Sequence, residues 1–510
     1  MERVLIIGGG VSGLATAYFL SRYAIPSTIV EKSWRTGGLI KTDLTDGCQL
    51  EAGPDSYIAT KPAVTELTQE LPGLRDQIIG SNDAARRIFV VRDGKLQAMP
   101  QGMVMMVPGD WDALKKSSVV SAQAKRAIHR ETKWKPLERK EDISVGQLVE
   151  EHFDAEVLEY LTEPLLCGVY GGESERLSAE SVLPRFMGYE RKYGSLVKGV
   201  RQELHDKPRA GSLFLSLRDG MQTLTNSLAA AGAGRANVVR GEVIAVKQDG
   251  RQWQVRVGKE MLTAGSVVLC CPAHVNAQLL AASVPSVANE LAAIPYSSAI
   301  LVMMVYDQAA LGHSTDGFGF LVPRGERKTI AAATWVNTKF PSRIRPGLAA
   351  LRAFIVSHRA VELAEATEAE IVALVQDDYK RLMGITAQPL FHTFHRWPNS
   401  MPQYVVGHAQ RVTSLFQQLT EYPGLFLAGN AYDGVGIPDC VRRARDIAQH
   451  ICEKKRLTVY ETIDWTVAGG VDELARVGTK RCQRANHGRN SRSQRNDECL
   501  RQRHSAGSSE

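Results

Sequence analysis

No apolar run in the 510-residue chain approaches the roughly 18 residues that a membrane-spanning helix needs. The longest, Ala299 to Tyr306, has the length of a buried strand, so an integral membrane role is excluded. Cysteine is sparse and unpatterned. Cys48, Cys167, Cys270, Cys271, Cys440, Cys452, Cys482 and Cys499 include no CxxC pair, and no His cluster has zinc spacing. Neither a metal site nor a disulfide framework is indicated, and a reducing cytoplasm fits best. Internal repeats are also missing. The net charge of +7 is unevenly placed: 477–510 holds eight Lys and Arg against three acids, or +5, which leaves +2 for the other 476 residues. A body so close to neutral has no electrostatic footprint for nucleic acid, and none is expected as a partner. Val4 to Leu20, preceded by Arg3, has the apolar character of a signal peptide, but Gly8-Gly9-Gly10 and Ser12 interrupt it.

What is present is enough hydrophobic residue, 44% against 23% charged, to bury a large core, and at about 150 residues per domain the chain should hold two or three domains. Glu2 to Ile7 reads as a buried strand, Gly8-Gly9-Gly10-Val11-Ser12-Gly13 as a tight turn, and Leu14 to Tyr23 as a helix. Ser27 to Glu31 then forms a second strand ending in an acid. This is the order of a dinucleotide fold. Gly8 permits the turn, Gly10 admits backbone to a pyrophosphate, and Gly13 lets helix and strand pack closely. The helix start offers unpaired N–H groups to phosphate, and Glu31 offers acceptors to the ribose hydroxyls.

Directly after Glu31 and Lys32 come Arg35-Thr36-Gly37-Gly38 and then Gly53-Pro54-Asp55-Ser56. A basic residue and a second Gly-Gly turn extend the phosphate-contacting surface, as a long FAD requires and a nicotinamide dinucleotide does not. Near the end, Gly424 to Asn430 reads as a strand feeding Gly434-Val435-Gly436-Ile437-Pro438-Asp439-Cys440 and a helix to about Lys455. Aimed at a flavin, that helix start favours negative charge on the reduced ring.

Between these ends, 99–193 is rich in helix formers, a helix follows Asp219-Gly220-Met221, and Val238 to Val246, Trp253 to Val257 and Val267 to Cys271 read as strands resuming the nucleotide sheet. Tyr296 to Ile355 is strand-rich, and Val361 to Met383 reads as one acidic amphipathic helix. The expected division is an FAD-binding domain from 1–75, 206–285 and 396–456, a substrate domain from 76–95 and 286–395, a helical subdomain at 96–205, and a disordered basic tail at 457–510, with a short helix at 461–476.

Taken together, these blocks, with Met99-Pro100, Glu163-Pro164-Leu165-Leu166-Cys167-Gly168-Val169-Tyr170-Gly171-Gly172, and Arg396-Trp397 followed by Met401-Pro402-Gln403-Tyr404, resemble the FAD-dependent protoporphyrinogen and coproporphyrinogen oxidases of haem biosynthesis. The resemblance covers residues 1 to about 455. It implies an α/β fold, Rossmann-like in its FAD domain as in amine oxidases and p-hydroxybenzoate hydroxylase, with an α+β substrate domain and a helical subdomain. One non-covalent FAD per chain would accept hydride at N5 from a porphyrinogen in three steps, and molecular oxygen would reoxidise it. By the resemblance Val243, Trp397, Val435, Gly436 and Ile437 also touch FAD, and backbone near Gly168 steers the pyrrole N–H groups. It further implies cytoplasmic location and a hand-over to the next haem-pathway enzyme, and it leaves peripheral membrane contact open.

Coproporphyrinogen III is the favoured substrate, with protoporphyrinogen IX the alternative and an amine oxidase or carotenoid desaturase a more distant one. Where some members of the family carry an arginine to hold a propionate, this chain reads Pro100-Gln101-Gly102-Met103. Lys41, Lys61, Arg185 and Arg191 are the remaining candidates for that task.

Overall fold

The structure, a computed structural model, describes residues 3–206 and 211–462. The tail beyond 462, and most of the helix expected at 461–476, lie outside the described residues. Residues 1–452 form one compact unit and 453–510 a second. The described part of the second is the end of the helix Ile437–Thr462.

A five-stranded parallel sheet is the base of the nucleotide site, in the order Ala236–Arg240, Ser27–Glu31, Val4–Ile7, Ser266–Leu269, Leu425–Leu427. Its central strand reads as an unbroken apolar run because both faces are covered. Val4 and Ile6 pack with Leu14, Leu20, Leu224 and Val441 on one side. Leu5 and Ile7 pack with Val287, Leu291 and Leu415 on the other. Each such side chain contributes about 1.5–3 kcal/mol on burial. The chain leaves Val4–Ile7 toward Ser27–Glu31 on one side, and Ser266–Leu269 pairs on the other. That reversal at the carboxyl end of the strand is where open α/β sheets bind ligands.

The run from Val238 to Val246 divides at Gly241, contrary to the single strand expected. Ala236–Arg240 joins the parallel sheet, while Val243–Asp249, Gln252–Val257 and Glu260–Ala264 form a separate antiparallel sheet. Only Ser266–Leu269 resumes the nucleotide sheet after them.

A seven-stranded sheet follows the order Phe391–Pro402, Tyr296–Asp307, Leu348–Val356, Ala332–Trp335, Gly319–Leu321, Ile88–Arg92, Lys95–Ala98. All its pairs are antiparallel except Gly319–Leu321 with Ile88–Arg92. One face is covered by the helix Glu368–Met383, through Ile371, Val375 and Tyr379. The single helix expected over 361–383 is two, because Thr367 starts a new one. Its side chain accepts from Glu370 N–H while Glu370 reaches back to the Thr367 N–H, and Ser357–Glu362 is left as a separate helix.

Between the short hairpin at Met103–Val104 and Val107–Pro108 and the helix Leu196–Asp206 lies a helical block cored by Leu148, Leu161, Phe186 and Val197. At its centre the buried His152 meets Glu131 through Nδ1 and Glu190 through Nε2, each at 2.9 Å. Burial opposes a charge on this imidazole, but the bonds to Glu131 and Glu190 outweigh it and raise its pKa. Within the block, Ala155–Val157, a wide π turn Leu158–Thr162 and Glu163–Tyr170 run on without a gap. Pro164 has no N–H to donate backward, which favours widening of the turn before it.

Candidate functional site

The first glycine turn has the geometry that its residues dictate. Gly8 sits at φ +102°, and a Cβ on Gly13 would stand 2.0 Å from the Gly8 carbonyl oxygen, so only glycine lets this helix leave the strand so closely. Gly10 caps the helix Val11–Arg22 without a side-chain bond. The N–H groups of Ser12 and Gly13 have no acceptor among the described residues, at the positive end of a twelve-residue helix, while Gly10 and Gly37 form a parallel bridge that turns the Val11 N–H toward Gly37.

The other expected parts of the cradle close around this turn. Gly37 N–H donates to Gly9 O at 2.8 Å, and a Cβ on Gly38 would lie 3.1 Å from Gly10 Cα, so the second glycine loop touches the first. Glu31 Oε2 accepts from Gly9 N–H at 2.6 Å, and its Oε1 accepts from Ser33 N–H at 2.8 Å. Arg35 braces the loop from within: its guanidinium donates to the carbonyls of Thr36, Gly38 and Ile40. Lys32 is exposed beside it.

Gly53 to Ser56 is fixed by one cation from the seven-stranded sheet, Arg352, and one from the helix Val336–Lys339 that follows its strand Ala332–Trp335. Asp55 accepts from Lys339 Nζ at 2.8 and 3.0 Å and from Ser56 Oγ at 2.6 Å, and Arg352 stands 3.6 Å away. Burial alone would raise this carboxyl, but Lys339 and Arg352 hold it well below the carboxylate range. Arg352 also donates to Gly53 O. The fully buried Arg343 meets Glu51 at 3.0 Å and donates to Leu217 O and Ser216 Oγ. Trp397 donates from Nε1 to Ala52 O at 2.7 Å, which places its ring against the same segment.

At the other end of the chain, Tyr404 Oη donates to Asn430 O at 2.7 Å and accepts from Gly434 N–H at 2.9 Å, so one phenol fixes the turn before the helix Ile437–Thr462. Its ring stacks on His408, centroids 4.0 Å apart. Ile437 and Val441 of that helix share one core with Leu14, and Val11 packs against it, which brings the helix start beside the first glycine turn. Burial pushes the Cys440 thiol up to about 11, so it stays protonated. Val435, within the turn, packs against the core of the helical block. Val243 opens the hairpin sheet two residues after Gly241, whose N–H donates to Glu31 O at 3.0 Å, and packs against the cluster that holds Ile7 and Val30.

Gly168 lies exposed on Glu163–Tyr170, its nearest neighbour Leu321 Cδ2 at 3.8 Å from where a Cβ would be. At this helix end Gly171 N–H takes Cys167 O, and Gln403 Nε2 takes Tyr170 O at 2.7 Å. The carbonyls of Gly168 and Val169 are left without a donor among the described residues. A cavity of about 350 Å³ opens alongside, lined by Glu163 and Cys167 of this helix and by Gly172 just past its end.

The four propionate candidates are all engaged elsewhere. Lys41 pairs with Asp43, Lys61 with Asp439, Arg185 with Glu203 and Arg191 with Glu180, at 2.7 to 3.3 Å. The anchors Glu51, Lys339, Arg343 and Arg352 have no motif around them, and sequence reasoning passed over them.

A model for flavin containing amine oxidoreductases matches residues 11–452. The chain belongs to that family. Among similar proteins, the coproporphyrinogen III oxidase of Bacillus subtilis is 30% identical over 87% of this chain and 96% of its own length. The Homo sapiens protoporphyrinogen oxidase is 29% identical over 87% of this chain and 97% of its own. A crystal structure of a proposed protoporphyrinogen oxidase from Exiguobacterium sp. 255-15 superposes with a TM-score of 0.79 at 31% identity, covering 89% of this chain and 99% of that one. Cyclohexylamine oxidase from Brevibacterium oxydans shares the fold at a TM-score of 0.64 and 17% identity, over 89% of this chain and 99% of that one. The chain is thus a flavin-dependent oxidoreductase with a Rossmann-like nucleotide domain. Among the described residues no helix is long and apolar enough to cross a membrane.

Proposed function

We propose that this protein oxidises coproporphyrinogen III to coproporphyrin III in haem biosynthesis, in the cytoplasm, with one non-covalent FAD per chain. The observation that carries this reading is the similarity to the Bacillus subtilis coproporphyrinogen III oxidase, which extends over nearly the whole of that protein. Bound FAD supplies a two-electron acceptor. Three rounds remove six electrons and six protons from the macrocycle, and three molecules of oxygen take them up as three of hydrogen peroxide.

The residues present fit such a cofactor. The free N–H groups of Ser12 and Gly13 would hold its pyrophosphate, Glu31 its ribose, and the Gly37-Gly38 loop would close over the phosphates while Arg35 holds that loop in shape. Gly53 to Ser56, Trp397 and the helix start at Gly436 and Ile437 would complete the enclosure. At the substrate, the unpartnered Gly168 and Val169 carbonyls would accept from pyrrole N–H groups. They lie at the negative end of a helix, so they favour the cationic macrocycle left by hydride loss. Two flanking pyrroles stabilise that cation, so the protein's task is to position the ring and exclude water rather than to supply a base. The planar product would then pass to the next enzyme of the pathway.

The reading is tested by adding coproporphyrinogen III to the purified yellow protein without oxygen. Bleaching of the visible flavin absorbance, restored by air, is expected. Flavin that stays oxidised with both coproporphyrinogen III and protoporphyrinogen IX would contradict it.

A further inference from the structure

The cavity beside Glu163–Tyr170 is unusually rich in cations. Arg324, Arg327 and Lys328 reach it from the loop after Gly319–Leu321, and His358 and Arg359 from the helix Ser357–Glu362. Glu163, Glu173 and Glu362 share the lining without using up the donors. Arg327 takes Glu163 at 3.0 Å, Arg359 and His358 take Glu362 at 2.8 and 2.9 Å, and Arg324 turns to Glu175 at 3.1 Å. The buried Nε–H groups of Arg327 and Arg359 have no acceptor, and Lys328 has no carboxylate partner among the described residues. Ser357, also on the wall, holds φ +57°, a conformation that non-glycine residues adopt at a cost and that collects at ligand sites.

We propose that this cavity binds the carboxylate arms along one edge of the tetrapyrrole, with Arg327, Lys328 and Arg359 as the recognising cations. The proposal rests on the porphyrinogen reading and extends it to the groups that distinguish its substrates. Arginine forks match carboxylates in shape and charge. About 350 Å³ lies near the small end of the range for ligand pockets, about 300–1,000 Å³, room for one edge of the macrocycle rather than all of it. The lining residues Cys167 and Gly172 bracket Gly168 in the chain, so a ring held by the Gly168 and Val169 carbonyls would have an edge close to these cations. Coproporphyrinogen III carries four such arms and protoporphyrinogen IX two. The cavity thereby supplies the carboxylate recognition that none of Lys41, Lys61, Arg185 and Arg191 is free to supply.

Arg327 is the wrong residue to remove first, since Glu163 would be left buried and unpaired. The test is the holoprotein carrying both Lys328→Ala and Arg359→Gln, compared with wild type for KM toward coproporphyrinogen III and for Kd of coproporphyrin III by fluorescence quenching. Losing two charge-assisted bonds should raise both constants about tenfold or more. The loss of kcat/KM should come through KM, and Lys328→Arg alone should keep Kd near wild type. Unchanged KM and Kd in the double variant would overturn the cavity assignment and leave the porphyrinogen reading standing. A wild-type protein that neither oxidises a porphyrinogen nor binds coproporphyrin would overturn both.

Discussion

The first glycine turn and the helix Glu163–Tyr170 both leave backbone groups without partners among the described residues, at opposite ends of a helix. At Val11–Arg22 the free groups are N–H donors at a positive end, suited to phosphate. At Glu163–Tyr170 they are carbonyls at a negative end, suited to N–H groups and a developing cation. The two also differ in how the chain specifies them. The donor site is written locally, within residues 8–38, where Gly8 and Gly37 hold positive φ and a Cβ on Gly13 would strike the Gly8 carbonyl. The acceptor site depends on distant partners: Gln403 takes Tyr170 O, Leu321 faces Gly168, and His152 holds the surrounding block together.

The change with the largest expected effect breaks the donor end. Gly13→Val would drive a side chain into the Gly8 carbonyl, at a cost of at least about 3 kcal/mol. The purified variant should come off gel filtration without flavin colour, and retention of FAD at the wild-type ratio would refute this. Next is the buried anchor of the segment that leads to Gly53. Arg343→Met leaves Glu51 buried without its cation, and breaking such a pair costs about 3–5 kcal/mol. The loss should appear as a lower denaturation midpoint with the m-value unchanged.

A smaller effect concerns the frame behind the acceptor end. His152 has its pKa raised by the fold, so its stabilising contribution is complete below its unfolded value of about 6.5 and is lost as pH rises through the higher folded value. The Tm of wild type should fall over that interval, and His152→Gln should remove this part of the slope. Identical pH profiles for the two proteins would show that the imidazole is not the source.

The same contrast explains what could be read from the sequence. The strand, turn and helix at the N-terminus, the acid at Glu31 and the Gly37-Gly38 contact follow from local rules, because each requirement falls on a neighbouring residue. The division of Val238 to Val246 at Gly241 was not legible, since its two halves pair with strands in different sheets. Nor was the break before Thr367, where one capping side chain outweighs an amphipathic pattern that continues across it. The cations were least legible of all. Lys41, Lys61, Arg185 and Arg191 look free in sequence and each has an acid in space, while Arg327, Lys328 and Arg359 come together only when the loop after Gly319–Leu321 meets the helix Ser357–Glu362.

Oxidation of a porphyrinogen by this flavin fold is read out by porphyrin fluorescence in air after coproporphyrinogen III is added to the purified protein, with peroxide measured in parallel and autoxidation subtracted. Fluorescence should grow faster than in the control, and peroxide should rise with it, three molecules for each porphyrin formed. Fluorescence no faster than autoxidation, from protein that holds its FAD, would contradict it.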